Sequence, residues 1–460
     1  MDLFAAQTAM ILSLVRHLMR ERLDAVTPMI CRRVVREIRR RVITPFMSTD
    51  DFWWMGVRRK DLNNWTPWIV SGVMLAACLI PMDRAERAAL MDRGCRMLDR
   101  WLGCVPQDGG CDEGVGYWNM AGGALLDCLE LLEEVTGGRM TFWEDEKIRN
   151  ILRFPLKAQI GNGWFVNFAD CDARPALSGE RLQFAGEKLR DPDLSALGDR
   201  CRGDLDGELS DVPRLDRLLR MLFHHPAPAP KARTPENVWL EDLQVRIVRS
   251  GPFTLCAKGG HNGENHNHND VGSFTLFLDG EPQVVDAGNM VYTARTFSPE
   301  RYTLWNTRSA YHNLPLIGGH EQLPGEGYAA RDVSCLGDGL KLSLKDAYGK
   351  DAGILSWERT VTLDENGLTL KDAGALRSPA PVTWVFMLRH RPEWTGGAVL
   401  SGGIRISVPE DLDFAAEEIP VTDPRMARSF PGSLWRVTLT GGSGDRIDRV
   451  FVITRREPHA

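Results

Sequence analysis

The spacing of apolar residues changes near residue 230, and this change constrains the fold more than any other feature of the sequence. Up to about residue 223, apolar side chains recur every three or four positions, which predicts a series of amphipathic helices with short connections. One face of the first predicted helix, for example, carries Leu12, Val15, Leu18 and Met19. Successive helical hairpins of this kind would suit a helical toroid or solenoid.

The second half of the chain has the alternation of apolar and polar residues that strands show. Turn sequences such as Asp279-Gly280 separate these runs, and together the two signals predict an antiparallel β-sandwich. The clearest runs are residues 244–248, 273–278, 359–363, 403–408 and 449–454.

A proline-rich segment lies between the two patterns. Four prolines fall within ten residues, at positions 226 to 235, and such a density excludes helix and favours an extended connection. We therefore predict two domains in the 460 residues: a helical domain at 1–223, a linker at 224–235 and an antiparallel β-sandwich at 236–460.

Composition excludes several classes of protein. The apolar run at 68–81 is shorter than the roughly 18 residues that a membrane span needs, so no membrane-embedded segment is expected. The net charge of −6 provides no overall positive field for nucleic acid. The ten cysteines include no CxxC pair, which favours reduced thiols. The N-terminus lacks the basic region of a signal peptide, and the two observations together favour a cytoplasmic location.

Histidines cluster in one part of the second half. Five of the ten lie between His261 and His320, and His266 and His268 form an H-x-H pair whose rings would point to one side of an extended segment. Such a pair is a common source of zinc ligands, Asp286 is a carboxylate at the end of an apolar strand, and His312 could complete a three-ligand set with water in the fourth position. The alternative is that these histidines are hydrogen-bonded loop residues.

Strand geometry places a condition on this metal hypothesis. In an uninterrupted hairpin about Asp279-Gly280, Asp286 would pair near residues 273–275, about 15 Å or more from His268. Shared coordination therefore requires the segment before Gly272 to fold back over the sheet. Asp270, in the same segment, is a candidate partner for orienting a metal-bound imidazole.

The string NHNHNDVGSF at 265–274 is followed by Asp286-Ala287-Gly288, Tyr292-Thr293 and Tyr311-His312-Asn313. This specific motif resembles that of the heparinase II/III-like polysaccharide lyases, which include heparin and alginate lyases. Two weaker motifs lie in the helical half, at 63–65 and 112–118. The resemblance covers nearly the whole chain.

The resemblance implies a helical (α/α) toroid followed by an antiparallel β-sandwich, with an acidic oligo- or polysaccharide as substrate. It implies that Tyr117 is the catalytic base, or a shared base and acid, and that His266 is the second proton-transfer residue. It also assigns one structural Zn²⁺ to His268, Asp286 and His312. The helical half has fewer hairpins than a full toroid of this family, so an incomplete toroid is expected, and Met1 could be an internal start.

The same resemblance places Asn63 and Asn64 where the family neutralises the substrate carboxylate. This role suits the chemistry of β-elimination, because removal of the C5 proton of a uronate builds negative charge that an amide can stabilise. A tyrosine has a reference pKa of about 10, so Tyr117 needs positive surroundings or a histidine neighbour to act as a base.

A further set of residues is predicted to contact substrate. Each has an ordinary alternative: tryptophans can be core, arginines can form surface ion pairs and histidines can lie in loops. The set is Glu113, Trp65, His261, Arg295, Arg301 and Tyr302.

Two other functions remain open on the sequence alone. In the first, His268, Asp286 and His312 hold a zinc that activates water directly, which would make the protein a glycan hydrolase. In the second, the protein keeps the fold and binds glycans without catalysis.

Overall fold

The computed structural model describes residues 1–202, 214–223, 233, 235 and 237–457. The predicted linker at 224–235 thus lies outside the described residues except at 233 and 235. Contacts divide the chain into two compact units. The helical unit comprises Met1–Gly109, Tyr117–Leu156 and Ala176–Arg233, and the β unit comprises Gly110–Gly116, Lys157–Pro175 and Thr234–Ala460. Two short segments from the first half of the chain therefore belong to the β unit.

Helices occupy most of the first half of the chain. They are α1 Leu3–Val26, α2 Pro28–Ile38, α3 Thr44–Ser48, α4 Trp65–Leu79, α5 Arg84–Leu102, α6 Gly122–Val135, α7 Glu146–Ala158, α8 Gly179–Leu189, α9 Pro192–Cys201 and α10 Leu215–Phe223, with a short α11 at Met426–Ser429. A π-helical turn, Arg39–Ile43, joins α2 to α3. Within the described residues, none of these helices is both long and apolar enough to cross a bilayer.

The first helix forms as predicted, but its buried face differs from the predicted one. Leu18 and Met19 are 57% and 42% exposed, whereas Ala6 and Met10 are fully buried. A Cβ placed on Gly72 of α4 would lie 3.1 Å from the carbonyl oxygen of Ala6. Small residues let these two helices approach closely, so the face of α1 that carries Ala6 and Met10 is buried rather than the face that carries Leu18 and Met19.

Buried ion pairs connect helices inside the helical unit. The Asp127 carboxylate on α6 is 6% exposed and accepts hydrogen bonds from Arg214 at 2.9 Å and Arg217 at 2.7 Å. Arg181 on α8 lies 3.4 Å from the other Asp127 oxygen and 2.8 Å from Glu130. Opposite charges compensate one another here, which is the condition for burying them.

Strands dominate the β unit. They are β1 Gln159–Gly161, β2 Trp164–Phe165, β3 Asn237–Leu240, β4 Val245–Ser250, β5 Phe253–Lys258, β6 His261–Asn262, β7 Phe274–Leu278, β8 Glu281–Val284, β9 Pro315–Ile317, β10 Gly325–Ala329, β11 Arg331–Cys335, β12 Gly339–Ser343, β13 Ile354–Leu363, β14 Gly367–Leu388, β15 Pro392–Trp394, β16 Ala398–Ser401, β17 Ile404–Ser407, β18 Leu412–Pro420 and β19 Ser433–Arg455.

All strand pairings within the described part of the β unit are antiparallel, and one sheet has the order β15-β16-β17-β19-β14-β8-β7-β5-β4-β3. The long strand β14 changes neighbours along its length. Its first half pairs with β13, and residues 382–384 pair with β9. Register shifts between Ala375 and Val382 separate the halves, and such bulges let a strand bend from one layer of a sandwich to the other.

The core of the β unit contains alternate residues of these strands. On β13, for instance, Trp357, Arg359, Val361 and Leu363 are buried while the residues between them are more exposed. All five predicted runs coincide with strands of the structure, namely β4, β7, β13, β17 and β19. The predicted fold class, a helical part followed by an antiparallel β-sandwich, is confirmed.

Candidate functional site

The candidate site of the β unit lies on loops that the Asn313 side chain connects to the sheet by hydrogen bonds. The Asn313 amide nitrogen donates to the carbonyl oxygens of Phe274 at 2.7 Å and Val285 at 3.0 Å, and its oxygen accepts from the Met387 N–H at 2.7 Å. One side chain thus fixes the start of β7, the end of β8 and the central strand β14. Neighbouring His312 is held in place by these bonds.

Three of the predicted metal ligands lie together. His268, Asp286 and His312 each offer a ligand atom, and these atoms lie within 4.8 Å of one another. All three side chains are buried, with exposures of 0 to 1%. The condition set by strand geometry is met, because β7 begins only at Phe274 and the preceding loop turns back toward Asp286.

The unpaired nitrogens of the two histidines suit a metal ion. Within the described residues, His268 Nδ1 and His312 Nε2 are buried and have no hydrogen-bond partner. The other nitrogen of each ring faces a carboxylate, at 3.1 Å from Asp170 for His268 and at 3.0 Å from Asp286 for His312. A carboxylate behind the ring, as Asp170 lies behind His268, is typical of zinc-bound histidines, and nitrogen and oxygen ligands suit Zn²⁺.

Asp286 and His312 favour each other's charged forms. Burial by itself would raise the pKa of Asp286, but the neighbouring His312 outweighs burial and holds that pKa below its ordinary value. Burial would likewise lower the pKa of His312, and Asp286 outweighs it and raises the pKa. A cation in the cluster would compete with the proton of His312 for the same carboxylate.

His266 occupies a different environment from His268. Its backbone has a φ of 54°, so the H-x-H segment is not extended as predicted, and this is a correction to the sequence interpretation. The His266 ring lies between two carboxylates, with Nδ1 2.9 Å from Asp170 and Nε2 3.2 Å from Glu113. The Tyr292 hydroxyl is 3.1 Å from Nδ1.

These neighbours set the charge of His266. Burial by itself would lower its pKa, but hydrogen bonds to Asp170 and Glu113 outweigh burial and raise the pKa of His266 to about 9. The ring is 18% exposed, so it is the accessible histidine of the H-x-H pair. Loop 110–116, which carries Glu113, is held nearby by two hydrogen bonds from Asn265 to Asp112 at 3.0 and 2.8 Å.

Asp170 is the functional candidate that the sequence interpretation missed. Its two oxygens contact the two histidines of the H-x-H pair, and burial together with these contacts decides its charge. Burial would raise the pKa of Asp170, but hydrogen bonds with His266 and His268 hold it below its ordinary value. No spacing rule could have found Asp170, because it lies 96 residues from His266 in a segment without a recognisable motif.

The remaining predicted residues of the β unit have varied surroundings. Arg301 is 9% exposed and donates to the carbonyl oxygens of His266 at 2.8 Å and Asn267 at 3.0 Å. Tyr302 accepts a hydrogen bond from Asn267 at 3.4 Å. Arg295 is about half exposed, with its side chain 3.6 Å from Glu300. Buried Arg301 thus stabilises the backbone of the H-x-H loop by hydrogen bonds, whereas Arg295 is at the surface.

A buried lysine holds both ends of the H-x-H loop. The Lys258 ammonium on β5 lies 2.8 Å from Glu264 and 2.7 Å from Asp270, and the lysine side chain is 3% exposed. Glu264 also accepts from the His261 N–H at 3.3 Å, which places half-buried His261 beside this ion triad. Asp270 therefore pairs with Lys258, and it is Asp170 that contacts a candidate metal ligand.

Four predicted residues belong to the helical unit. Asn63 and Asn64 precede helix α4, where the Asn63 side chain accepts from the Trp65 N–H at 3.1 Å. Trp65 is half-buried, and its ring centroid lies 5.2 Å from that of Trp53. Tyr117 is 8% exposed, in a 3-10 turn just before α6. The structure brings Asn63, Asn64 and Trp65 together at one helix start.

Comparisons with known proteins agree with this fold. Residues 232–449 match the family described as Heparinase II/III-like, C-terminal. A search of curated proteins gives no match. Among solved structures, the chain is similar to a heparinase III gene product, with a TM-score of 0.67 and 14% identity over 94% of this chain and 63% of that one.

Two further structures are similar at the same level. Heparan sulfate lyase HepC from Pedobacter heparinus has a TM-score of 0.61 and 14% identity, over 86% of this chain and 60% of that one. A structure titled Heparinase III has a TM-score of 0.63 and 14% identity, over 85% and 61% of the two chains. The chain thus spans less than two thirds of these relatives, and the likeness is one of fold. The family match itself covers residues 232–449, just under half of the chain, and over the rest of the chain the similarity to these structures is one of fold.

Proposed function

We propose that the protein is a lyase that cleaves uronic acid-containing oligo- or polysaccharides by β-elimination. The observation that supports this most directly is the placement of His266. Its partly exposed imidazole lies between Asp170 and Glu113, two residues along the chain from a buried candidate metal ligand. A ring held in this way is positioned to exchange a proton with a bound sugar.

In the proposed reaction, Tyr117 removes the C5 proton of the uronate. The electron pair of the broken C–H bond forms a double bond between C4 and C5, and the bond from C4 to the departing oxygen breaks. Asn63 and Asn64 donate hydrogen bonds to the uronate carboxylate, which carries the developing charge. A proton on the leaving O4 completes the balance of the reaction.

We assign the proton on O4 to His266, with Tyr117 as the alternative donor. Both ring nitrogens of His266 face carboxylates, and this arrangement favours N–H groups at both positions. The contact with Glu113, at 3.2 Å, is longer than the one with Asp170, at 2.9 Å. A sugar oxygen would therefore replace Glu113 more easily, which leaves Asp170 to hold the ring.

The proposed role of zinc is structural. Bound by His268, Asp286 and His312, it would join the loops that precede β7 and follow β8. The burial of all three side chains, at 0 to 1% exposure, supports this role over direct activation of water, because a catalytic zinc keeps a position open to substrate. Burial thus favours the lyase over the zinc-dependent hydrolase.

The test is to incubate the purified protein with a panel of uronate oligosaccharides and to follow ultraviolet absorbance. A lyase creates a C4–C5 double bond conjugated with the carboxylate, and absorbance rises. We expect Tyr117→Phe and His266→Gln to abolish this rise, while Tyr328→Phe, a matched change on β10, leaves it intact. Cleavage without new absorbance would identify a hydrolase, and binding without cleavage by the wild type would identify a glycan-binding protein.

A further inference from the structure

We propose that Asp170 is a positioning residue that holds His266 and His268 simultaneously, and so links metal binding to proton transfer. The part that concerns metal binding stands on the structure of the cluster. The part that concerns proton transfer rests on the proposed function. Asp170 lies outside every motif on which the sequence interpretation depended.

The geometry places one carboxylate between two rings. Asp170 Oδ2 lies 2.9 Å from His266 Nδ1, and Oδ1 lies 3.1 Å from His268 Nε2. The Asp170 side chain is 2% exposed, so water competes little for these contacts. Each oxygen thus serves a different histidine, and the positions of the two rings depend on a single side chain.

Other contacts hold the carboxylate in place. Arg301 Nη2 lies 2.8 Å from Asp170 Oδ1 and also 2.8 Å from the carbonyl oxygen of His266. The Asn289 side chain donates to the Asp170 carbonyl oxygen at 3.0 Å. The backbone and the side chain of Asp170 are therefore both fixed. A residue that orients other side chains needs to be fixed in this way.

The contact with His268 determines which nitrogen is available to a metal. If Nε2 donates its hydrogen to Asp170, the lone pair of the neutral ring is on Nδ1, and Nδ1 is the buried atom without a partner among the described residues. Asp170 therefore favours the tautomer that ligates at Nδ1. Loss of such a carboxylate commonly weakens metal binding by about 10- to 100-fold.

Asparagine is the informative replacement, because it has the size of aspartate but only one terminal atom that accepts hydrogen bonds. Asp170→Asn can serve one histidine and must turn an NH₂ group toward the other. Asp172→Asn is the matched control: it lies two residues along the same segment, and its carboxylate binds Arg425 at 2.8 and 3.2 Å rather than a histidine.

The experiment measures the affinity of each protein for Zn²⁺ by competition with a chromophoric chelator. We expect Asp170→Asn to bind Zn²⁺ about 10- to 100-fold more weakly than the wild type, and Asp172→Asn to match the wild type. Circular dichroism checks that each variant is folded. If Asp170→Asn does not fold, Asp170→Glu retains the charge for Arg301 and displaces the oxygens, and we expect it to weaken Zn²⁺ binding as well.

Equal Zn²⁺ affinity of the Asp170 variant and the wild type would overturn the proposal. The link to proton transfer has its own readout: His266→Gln should keep Zn²⁺ and lose turnover, whereas Asp170→Asn should lose both. Normal turnover by Asp170→Asn saturated with Zn²⁺ would overturn that link. If the wild type produces no unsaturated uronate, the proposed function fails, while the comparison of Zn²⁺ affinities still decides the role of Asp170 at the metal site.

Discussion

Arg359 and Asp372 lie directly opposite each other on strands β13 and β14 and form a two-point ion pair, at 2.8 and 2.7 Å, inside the β unit. The same guanidinium donates to the carbonyl oxygens of Gly272 at 3.0 Å and Asn313 at 2.8 Å. Those two residues adjoin the loops that carry His268 and His312. A charge pair in the sandwich core thus supports both parts of the candidate metal site.

Replacing Arg359 with methionine should destabilise the protein by about 3–5 kcal/mol, because Asp372 would remain buried without its cation. Urea denaturation measures the change in the free energy of unfolding. Arg331→Met is the matched control, since Arg331 pairs with Asp346 where both side chains are about half exposed, and such pairs contribute about 0–1 kcal/mol. A loss below 1 kcal/mol for Arg359→Met would contradict this account of the core.

Metal analysis should find one Zn²⁺ per chain in the wild type. Removing it with a chelator should lower the melting temperature, because a ligand that binds only the folded state stabilises it, by about 2.7 kcal/mol at a free concentration 100 times the dissociation constant. His268→Gln and His312→Gln should lose the ion. His390→Gln, a change at an exposed histidine just after β14, should retain it, and full zinc content in His268→Gln would refute the assigned ligand set.

Asp127 should make the helical unit sensitive to acid. Burial would raise the pKa of Asp127, but the surrounding arginines outweigh burial and hold that pKa below its ordinary value. Since the pKa is lower in the folded state than in the unfolded state, the stabilisation is complete above the unfolded value, about 3.9, and is lost as pH falls through the folded value.

The variant Asp127→Asn should therefore be less stable at pH 7 by about 3–5 kcal/mol and should lose less further stability between about pH 5 and pH 2. Urea midpoints measured across this range give both quantities. Asp92→Asn is the control, because Asp92 pairs with Arg96 on the surface of α5 with 60% of its side chain exposed. An acid decline as steep in Asp127→Asn as in the wild type would show that other groups cause it.

Asn63 allows its contact with the start of α4 to be separated from its proposed catalytic role. Asn63→Asp keeps an oxygen that can accept from the Trp65 N–H, but its carboxylate has no hydrogen to donate to a uronate carboxylate. We expect the unsaturated product to form about 100- to 1000-fold more slowly, with stability close to that of the wild type. Asn63→Ala should also lose the hydrogen bond with Trp65 and with it about 1 kcal/mol of stability. Unchanged product formation by Asn63→Asp would exclude the amide from catalysis.

Local patterns predicted some features well and others poorly. The period-two run at 359–363 located β13, because alternate burial in a sheet leaves a direct mark on the sequence. The 3.6-residue period located α1 but gave the wrong buried face, since close packing against Gly72 favoured Ala6 over the larger Leu18. Periodicity reports that a face is buried, while the shape of the neighbouring helix decides which face it is.

The candidate site shows the same division. The density of histidines identified the segment, and the resemblance selected His268, Asp286 and His312, which the structure brings within 4.8 Å. The assumed extended H-x-H segment was wrong, because His266 adopts a φ of 54°. His266 and His268 nevertheless converge on one carboxylate, and nothing in their spacing indicates it.

Local sequence patterns specify the helical and strand halves, the turns between strands and the residue types available for chemistry. These features follow from local backbone preferences and from periodic burial, which neighbouring residues encode together. Three contacts become visible only in the folded chain: Asp170 with both histidines, Lys258 with both ends of their loop, and Arg301 with the backbone of that loop. Such contacts join residues far apart in the chain, and they depend on the paths of irregular loops, for which the sequence has no repeating signal.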